Sequence, residues 1–333
     1  NPWQWNGVKF KAGYGGAASP RIVRRIEEAL GAEVAEKPGG AIQEADFREP
    51  YLAQVSRVAD LKKIAAAGLR LAVDPMYGAA QGYLAALLER HGIACSEIHG
   101  ARDPLFPGLN PEPIEPHVEE LRRAVVEGGF DAGFALDGDG DRLGALDRDG
   151  AFVDSHRIFS LLLEYFLEGR KGTGEVAKTF STTKMVDRIA ARYGLRLHET
   201  PIGFKYLCDL MLARDILIGG EESGGIGVKG HLPERDGILN SLLLAEVMAH
   251  YGRSLGELVA ELHRRYGPQF YNRLDLYLPP GQKERALAAL AQAPPARIAG
   301  CPVASVETLD GIKFLLEPNA WVLVRGSGTE PLL

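Results

Sequence analysis

The chain has 333 residues, 46% hydrophobic and 25% charged, with a formal net charge of −6, an ordinary globular composition long enough for two to four domains. The acidic balance and the lack of a basic stripe argue against a nucleic-acid partner, and no apolar run approaches the roughly 20 residues that span a bilayer. Cys95, Cys208 and Cys301 are far apart and odd in number, which points to free thiols in a reducing compartment; with no signal peptide visible after Asn1, a cytoplasmic location is expected.

The first stretch, Asn1 to Gly16, mixes Gly, aromatic and Lys residues, and Asn6-Gly7 is a hairpin-type turn signal. A helix is predicted from about Pro20, capped by Ser19, to Gly31. Residues 33–40 read as loop. Val55, Val58, Leu61 and Ile64 carry helical spacing, so a connector and one helix are predicted up to Gly68.

An alternating pattern then begins. Strand Leu69–Val73, helix Ala79–Arg90, strand Gly92–Ile98, a Pro-rich loop, helix His117–Glu127 and strand Phe130–Leu136 follow one another. The order recurs as helix Ser155–Leu167, strand Glu175–Phe180, helix Lys184–Tyr193, strand Leu195–His198, helix Phe204–Ala213 and strand Ile216–Ile218. Strands alternating with helices predict a parallel α/β layer. The repeated order predicts an internal duplication of about 100 residues. Two helices, Gly237–Tyr251 and Ser254–Tyr266, close this part. Gly267-Pro268 marks a boundary and a hinge. Beyond it come strand Tyr271–Leu278, helix Gln282–Ala291 and strands near Ile312–Leu316 and Trp321–Val324.

The chemistry centres on Ala135 to Gly144, where Asp137, Asp139 and Asp141 alternate with glycines and Arg142 follows. Three carboxylates aimed at one point repel one another, and a divalent cation resolves the repulsion; hard oxygen ligands suit Mg²⁺. The plain alternative is an acidic Asp-Gly turn. An EF-hand calcium loop fails, because Arg142 and Arg148 stand where Gly and Glu are required. A second polar loop, Gly219 to Gly225, offers Glu221, Glu222 and Ser223, the pairing of carboxylate and hydroxyl that grips a polyol; a solvated acidic loop is the alternative. Arg325 to Thr329 reads as an anion cradle, with a guanidinium fork, the Ser327 and Thr329 hydroxyls, and Gly326 and Gly328 exposing backbone N–H groups; a surface turn is the alternative. Lys205 opens a helix, where a lysine can meet a phosphate, or it is a solvated surface lysine. Lys9 is equally open taken alone. Together the loops point to Mg²⁺, a polyol and a phosphate, hence a phosphosugar.

In that combination the chain resembles the α-D-phosphohexomutase superfamily, the phosphoglucomutase/phosphomannomutase group. Asn1-Pro2 with Asn6-Gly7 and Lys9 resembles the tail of the family's catalytic loop, Asp137–Arg142 its metal loop, Gly220–Gly225 its sugar loop and Arg325–Pro331 its phosphate loop. The resemblance covers essentially the whole chain. It implies consecutive three-layer α/β domains with mixed sheets and a smaller C-terminal α+β domain. The divisions expected are a remnant of the catalytic-serine domain over 1–45, a metal-binding domain over 46–150, a sugar-binding domain over 151–266 and a truncated phosphate-binding domain over 267–333.

The reaction implied interconverts hexose 1-phosphate and hexose 6-phosphate, glucose or mannose, through a phosphoserine and a 1,6-bisphosphate. Asp137, Asp139 and Asp141 would hold Mg²⁺. Lys9 would be the acid/base, which calls for a depressed pKa, and Arg142 would steady the transferring group. Glu221 and Ser223 would grip the 3- and 4-hydroxyls, and Arg325, Ser327, Gly328, Thr329 and Lys205 would bind the non-reacting phosphate. A monomer or homodimer is expected.

The sequence departs from the pattern in places. The family's nucleophilic serine would stand two positions before Asn1, outside this sequence, as would the elements that follow the phosphate loop. Gly225 stands where some relatives carry a His used in proton transfer or sugar contact, so that role is empty or filled elsewhere. Gly326 replaces a residue that is often Pro. Phosphoglucosamine mutase is the alternative within the superfamily, although Gly140, Glu222 and Gly225 lean away from it; a non-catalytic phosphosugar-binding protein is the alternative outside it.

Overall fold

The computed structural model describes residues 8–32, 39–279 and 281–326. The expected Ser327, Gly328 and Thr329 of the cradle, and Asn1, Pro2, Asn6 and Gly7, lie outside the described residues.

The first helix, α1 (Pro20–Ala29), starts after Ser19 as expected, though the Ser19 side chain makes no capping bond. The single helix predicted up to Gly68 is two, α2 (Arg48–Val58) and α3 (Leu61–Ala66). The break has a physical cause. Asp60 caps α3 by accepting from Lys63 N, and its own N–H goes to Glu246 of a distant helix rather than back along α2.

Then follow β1 (Arg70–Asp74), α4 (Tyr83–Arg90), β2 (Ala94–Glu97), α5 (Glu119–Gly128), β3 (Ala132–Leu136), β4 (Leu143–Asp147) and β5 (Phe152–Val153). The second run is α6 (Ser155–Glu168), β6 (Glu175–Thr179), α7 (Lys184–Arg192), β7 (Leu197–Thr200), α8 (Phe204–Ala213), β8 (Ile216–Gly220) and β9 (Ile226–Val228), closed by α9 (Gly237–Tyr251) and α10 (Leu255–Tyr266). The first sheet has the order β2-β1-β3-β4-β5 and the second β7-β6-β8-β9. In each, the first strand lies between two parallel neighbours, and the third strand pairs antiparallel with the fourth. The duplication read from the sequence is therefore a repeated topology. The sheets are mixed rather than wholly parallel, because each third strand returns through a hairpin.

These strands are apolar almost throughout since both faces are covered: β3, β4 and β8 are buried at every position. One apolar core runs through both sheets and the helices α6, α9 and α10. Helix α9 is buried continuously from Gly237 to Met248, so it is covered on all sides rather than along one apolar stripe. No helix among the described residues is long and apolar enough to cross a membrane.

The C-terminal unit is α11 (Gln282–Gln292) on a four-stranded antiparallel sheet of β10 (Arg297–Ile298), β11 (Cys301–Glu307), β12 (Ile312–Leu316) and β13 (Ala320–Val324). It has its own small core of Ile312, Phe314 and Leu316. Of the strand predicted over Tyr271–Leu278, only Tyr277 makes a β-bridge. The segment pairs with no named strand among the described residues, and Leu274, Leu276 and Tyr277 are exposed, so its alternation is not that of a half-buried edge. Among the described residues, Lys313 Nζ bonds to Glu199 Oε1 of β7 at 2.9 Å, and Ile202 N in the loop after β7 donates to Asp310 Oδ2 at 2.8 Å. Lys313 is fully buried and lies 3.8 Å from the Phe180 ring centroid.

Candidate active site

The expected metal loop is the turn between β3 and β4, and the expected sugar loop is the turn between β8 and β9, the same place in the repeated topology. The two turns dock backbone to backbone. Arg142 and Gly225 form an antiparallel bridge, and Leu143 N donates to Gly224 O at 3.2 Å. The approach requires glycine: Gly224 has φ +97°, and a Cβ there would lie 2.8 Å from Leu143 O.

Asp137, Asp139 and Asp141 each offer an oxygen within 4.8 Å of the others. Each is held by a different basic residue. Buried Asp137 accepts from the backbone N–H groups of Asp141 and Arg142 at 2.9 and 3.0 Å, and from Arg142 Nε at 2.5 Å. Asp139 Oδ2 lies 2.7 Å from Lys9 Nζ. Asp141 Oδ2 lies 2.6 Å from Arg235 Nη2. Burial pushes the Asp141 carboxyl up to about 6, against the pull of Arg235 and with the repulsion of Asp137 and Asp139. Asp139 is also raised by burial, but the hydrogen bond and charge of Lys9 outweigh this and hold it down at about 2. Three converging carboxylates, each with lone pairs to spare, fit a hard divalent cation.

Glu221 is 4% exposed, and Arg235 Nη1 lies 3.2 Å from its Oε2. Burial, reinforced by Glu222 and Asp141 and opposed by Arg235, pushes its carboxyl up to about 7. Ser223 is half-buried in the turn beside it. Glu222 does not face the same way. Its carboxylate accepts from Thr179 Oγ1 at 3.1 Å and from Ser181 Oγ, and its carbonyl accepts from Ser155 Oγ, so it anchors the loop.

Arg325 follows β13, and its Nε donates to Asp310 Oδ1 at 3.1 Å. Because Asp310 also accepts from Ile202 N, Arg325 is tied to the loop that leads into α8. Lys205 is exposed in the first turn of that helix, with Nζ 4.9 Å from the Tyr206 ring centroid.

Thus Lys9, the three aspartates, Arg142 and Glu221 come together, while Arg325 is tied through Asp310 to the loop before α8 and Lys205 stands exposed in the first turn of that helix. Sequence reasoning missed Arg235, which joins Asp141 to Glu221 and covers the face of Gly225. Nothing in the local sequence marks it. It also missed Asp310, whose only local signal is Asp310-Gly311 as a turn pair.

Comparison with known proteins bears on this arrangement. Residues 49–150 match the model of the phosphoglucomutase/phosphomannomutase α/β/α domain II, and residues 154–266 match that of domain III. A phosphoglucomutase/phosphomannomutase of Thermococcus kodakarensis is 30% identical over 342 residues, covering 100% of this chain and 71% of the relative. A phosphoglucosamine mutase of Moorella thermoacetica is 31% identical, with 100% and 71% covered. A crystal structure from Thermus thermophilus, described as a phosphomannomutase, superposes with a TM-score of 0.85 at 37% identity, over 98% of this chain and 70% of that one.

Proposed function

Because this chain belongs to the phosphoglucomutase/phosphomannomutase family of α-D-phosphohexomutases, we propose that the docked turns form a Mg²⁺-dependent site that interconverts hexose 1-phosphate and hexose 6-phosphate. The observation that carries the reading is the Arg142–Gly225 bridge, which sets the three aspartates beside Glu221.

Asp137, Asp139 and Asp141 would hold the ion, which neutralises charge during in-line phosphoryl transfer. The transferred group would come from a phosphoserine that the family resemblance assigns before Asn1, with hexose 1,6-bisphosphate as intermediate and activator. Lys9, next to Asp139, exchanges a proton with the sugar hydroxyl as the phosphoryl group arrives or leaves. Arg142, tied at Nε to Asp137, directs its guanidinium at the phosphoryl oxygens. Glu221 and Ser223 hold the vicinal 3- and 4-hydroxyls in both sugar orientations, and because glucose and mannose share these hydroxyls the grip does not discriminate at C2. Arg325, with Ser327, Gly328 and Thr329 beyond it and Lys205 across the α8 loop, holds the phosphate that does not react.

An amino-sugar substrate is the second reading, favoured by relatives such as the Moorella phosphoglucosamine mutase. The test compares kcat/KM for α-glucose 1-phosphate, α-mannose 1-phosphate and α-glucosamine 1-phosphate, each with Mg²⁺ and its own 1,6-bisphosphate. Preference for the first two supports the proposal. Preference of more than about tenfold for the amino sugar, the scale of one hydrogen bond to its charged amino group, moves the substrate to the second reading.

A further inference from the structure

We infer that Arg235 is a positioning residue that couples the metal loop to the sugar loop, and that position 225 is glycine so that Arg235 can lie there. The inference rests on the mutase reading for its substrate, but its geometry stands apart from that reading.

One guanidinium fork reaches two turns. Nη2 lies 2.6 Å from Asp141 Oδ2 in the metal loop, and Nη1 lies 3.2 Å from Glu221 Oε2 in the sugar loop. A planar fork with fixed donor directions holds two carboxylates at a set separation; a lysine, with rotatable donors on a flexible stem, can bridge two carboxylates without fixing that separation. The stem of the side chain runs over Gly225. A Cβ added at Gly225 would overlap Arg235 Cδ and lie 2.8 Å from Cγ, so any side chain at 225 displaces the arginine stem from this position. Phe204 backs the guanidinium, 5.6 Å from its ring centroid. The root is fixed as well. Asp236 caps α9 by accepting from Leu239 N, and Gly237 N donates to Gly140 O of the metal loop at 3.0 Å.

Arg235 is thus immobilised at both ends, with its charge shared between a metal-loop carboxylate and the sugar-gripping carboxylate. Two consequences follow, of opposite sign. A cation entering the triad competes with Nη2 for Asp141, so Arg235 weakens Mg²⁺ binding in the absence of sugar. Arg235 also orients Glu221, so it strengthens the grip on sugar. General damage to the site would weaken both.

The test measures Mg²⁺ affinity by calorimetry without sugar, and KM and kcat for the phosphohexose, in the gene product carrying this sequence. Arg235→Gln is expected to tighten Mg²⁺ at least about threefold and to raise KM at least about tenfold, the range of one charged hydrogen bond, with kcat changed less. Gly225→Ala keeps the arginine but displaces it, and is expected to move both quantities in the same directions. Arg235→Lys is expected to return Mg²⁺ affinity toward the wild-type value while KM stays raised. Mg²⁺ affinity unchanged or weakened in both Arg235→Gln and Gly225→Ala overturns the coupling. A wild type without mutase activity overturns the functional reading instead, and the calorimetric comparison then decides the coupling alone.

Discussion

Lys9 Nζ pairs with Asp139 Oδ2 at 2.7 Å across 130 positions of sequence. Both side chains are more than half exposed, at 69% and 52%, so the pair contributes little to stability. Its importance is positional: it sets an amine against the metal loop. Lys9→Ala is therefore expected to leave the melting temperature unchanged and to lower kcat at least about 100-fold, the usual scale of general acid–base catalysis. Steady-state kinetics beside a thermal melt checks this, and a kcat within a few-fold of wild type removes Lys9 from the chemistry.

Arg325 is held by Asp310 at the mouth of the α8 loop. A hydrogen bond to a charged group is worth roughly 1.5–3 kcal/mol, so Arg325→Ala should raise KM for the phosphosugar at least about tenfold. An unchanged KM would take the cradle out of the site.

Glu246 of α9 is 1% exposed at its side chain and holds several elements together. Its Oε1 accepts from Tyr165 OH at 2.5 Å and Arg170 Nε at 3.0 Å, and its Oε2 accepts from Asp60 N at 2.8 Å and from Arg170 Nη2. Glu246→Ala strands a guanidinium and a backbone N–H at the break between α2 and α3. A loss of about 3–5 kcal/mol is expected from denaturant unfolding. A loss below about 1 kcal/mol, the scale of an exposed ion pair, would show that the network is not cooperative.

The raised carboxyls of Glu221, about 7, and Asp141, about 6, give the metal-free protein a signed pH dependence. A carboxyl whose folded pKa lies above its unfolded value takes up its proton more tightly in the folded state. That contribution is complete below the unfolded values of 4.5 and 3.8 and is lost as pH rises to about 7. In EDTA, the contribution of these two groups thus falls between about pH 4 and pH 7. Glu221→Gln should flatten the melting-temperature profile over pH 5–7 relative to wild type. Superposable profiles would mean that Glu221 ionises normally.

Much of this molecule is legible in its sequence because its strands are short, apolar and punctuated by Gly and Pro. Helix Phe204–Ala213 stands where its spacing placed it, and the repeated order of elements became a repeated sheet topology. Three kinds of feature were not legible. The break at Asp60 depends on Glu246, 186 residues away, which no local pattern carries. Strand β11 contains Pro302, Ala304 and Ser305 and lacks apolar alternation, whereas Tyr271–Leu278 alternates well enough and finds no named strand to pair with among the described residues. In the site, the aspartates could be found because they lie two residues apart. Arg235 could not, because its role exists only once two distant turns touch.

The most direct test is the conversion of α-glucose 1-phosphate to glucose 6-phosphate by the gene product carrying this sequence and by Asp139→Ala, with saturating Mg²⁺ and a trace of glucose 1,6-bisphosphate. Asp139 is half exposed and outside the apolar core, so the variant should keep the wild-type circular dichroism spectrum. The wild type is predicted to turn over and to stop on addition of EDTA, and Asp139→Ala to keep less than about a tenth of the rate, the loss expected when a metal ligand is removed. Turnover indifferent to EDTA, or a variant with most of its activity, would contradict a metal-dependent site at the docked turns.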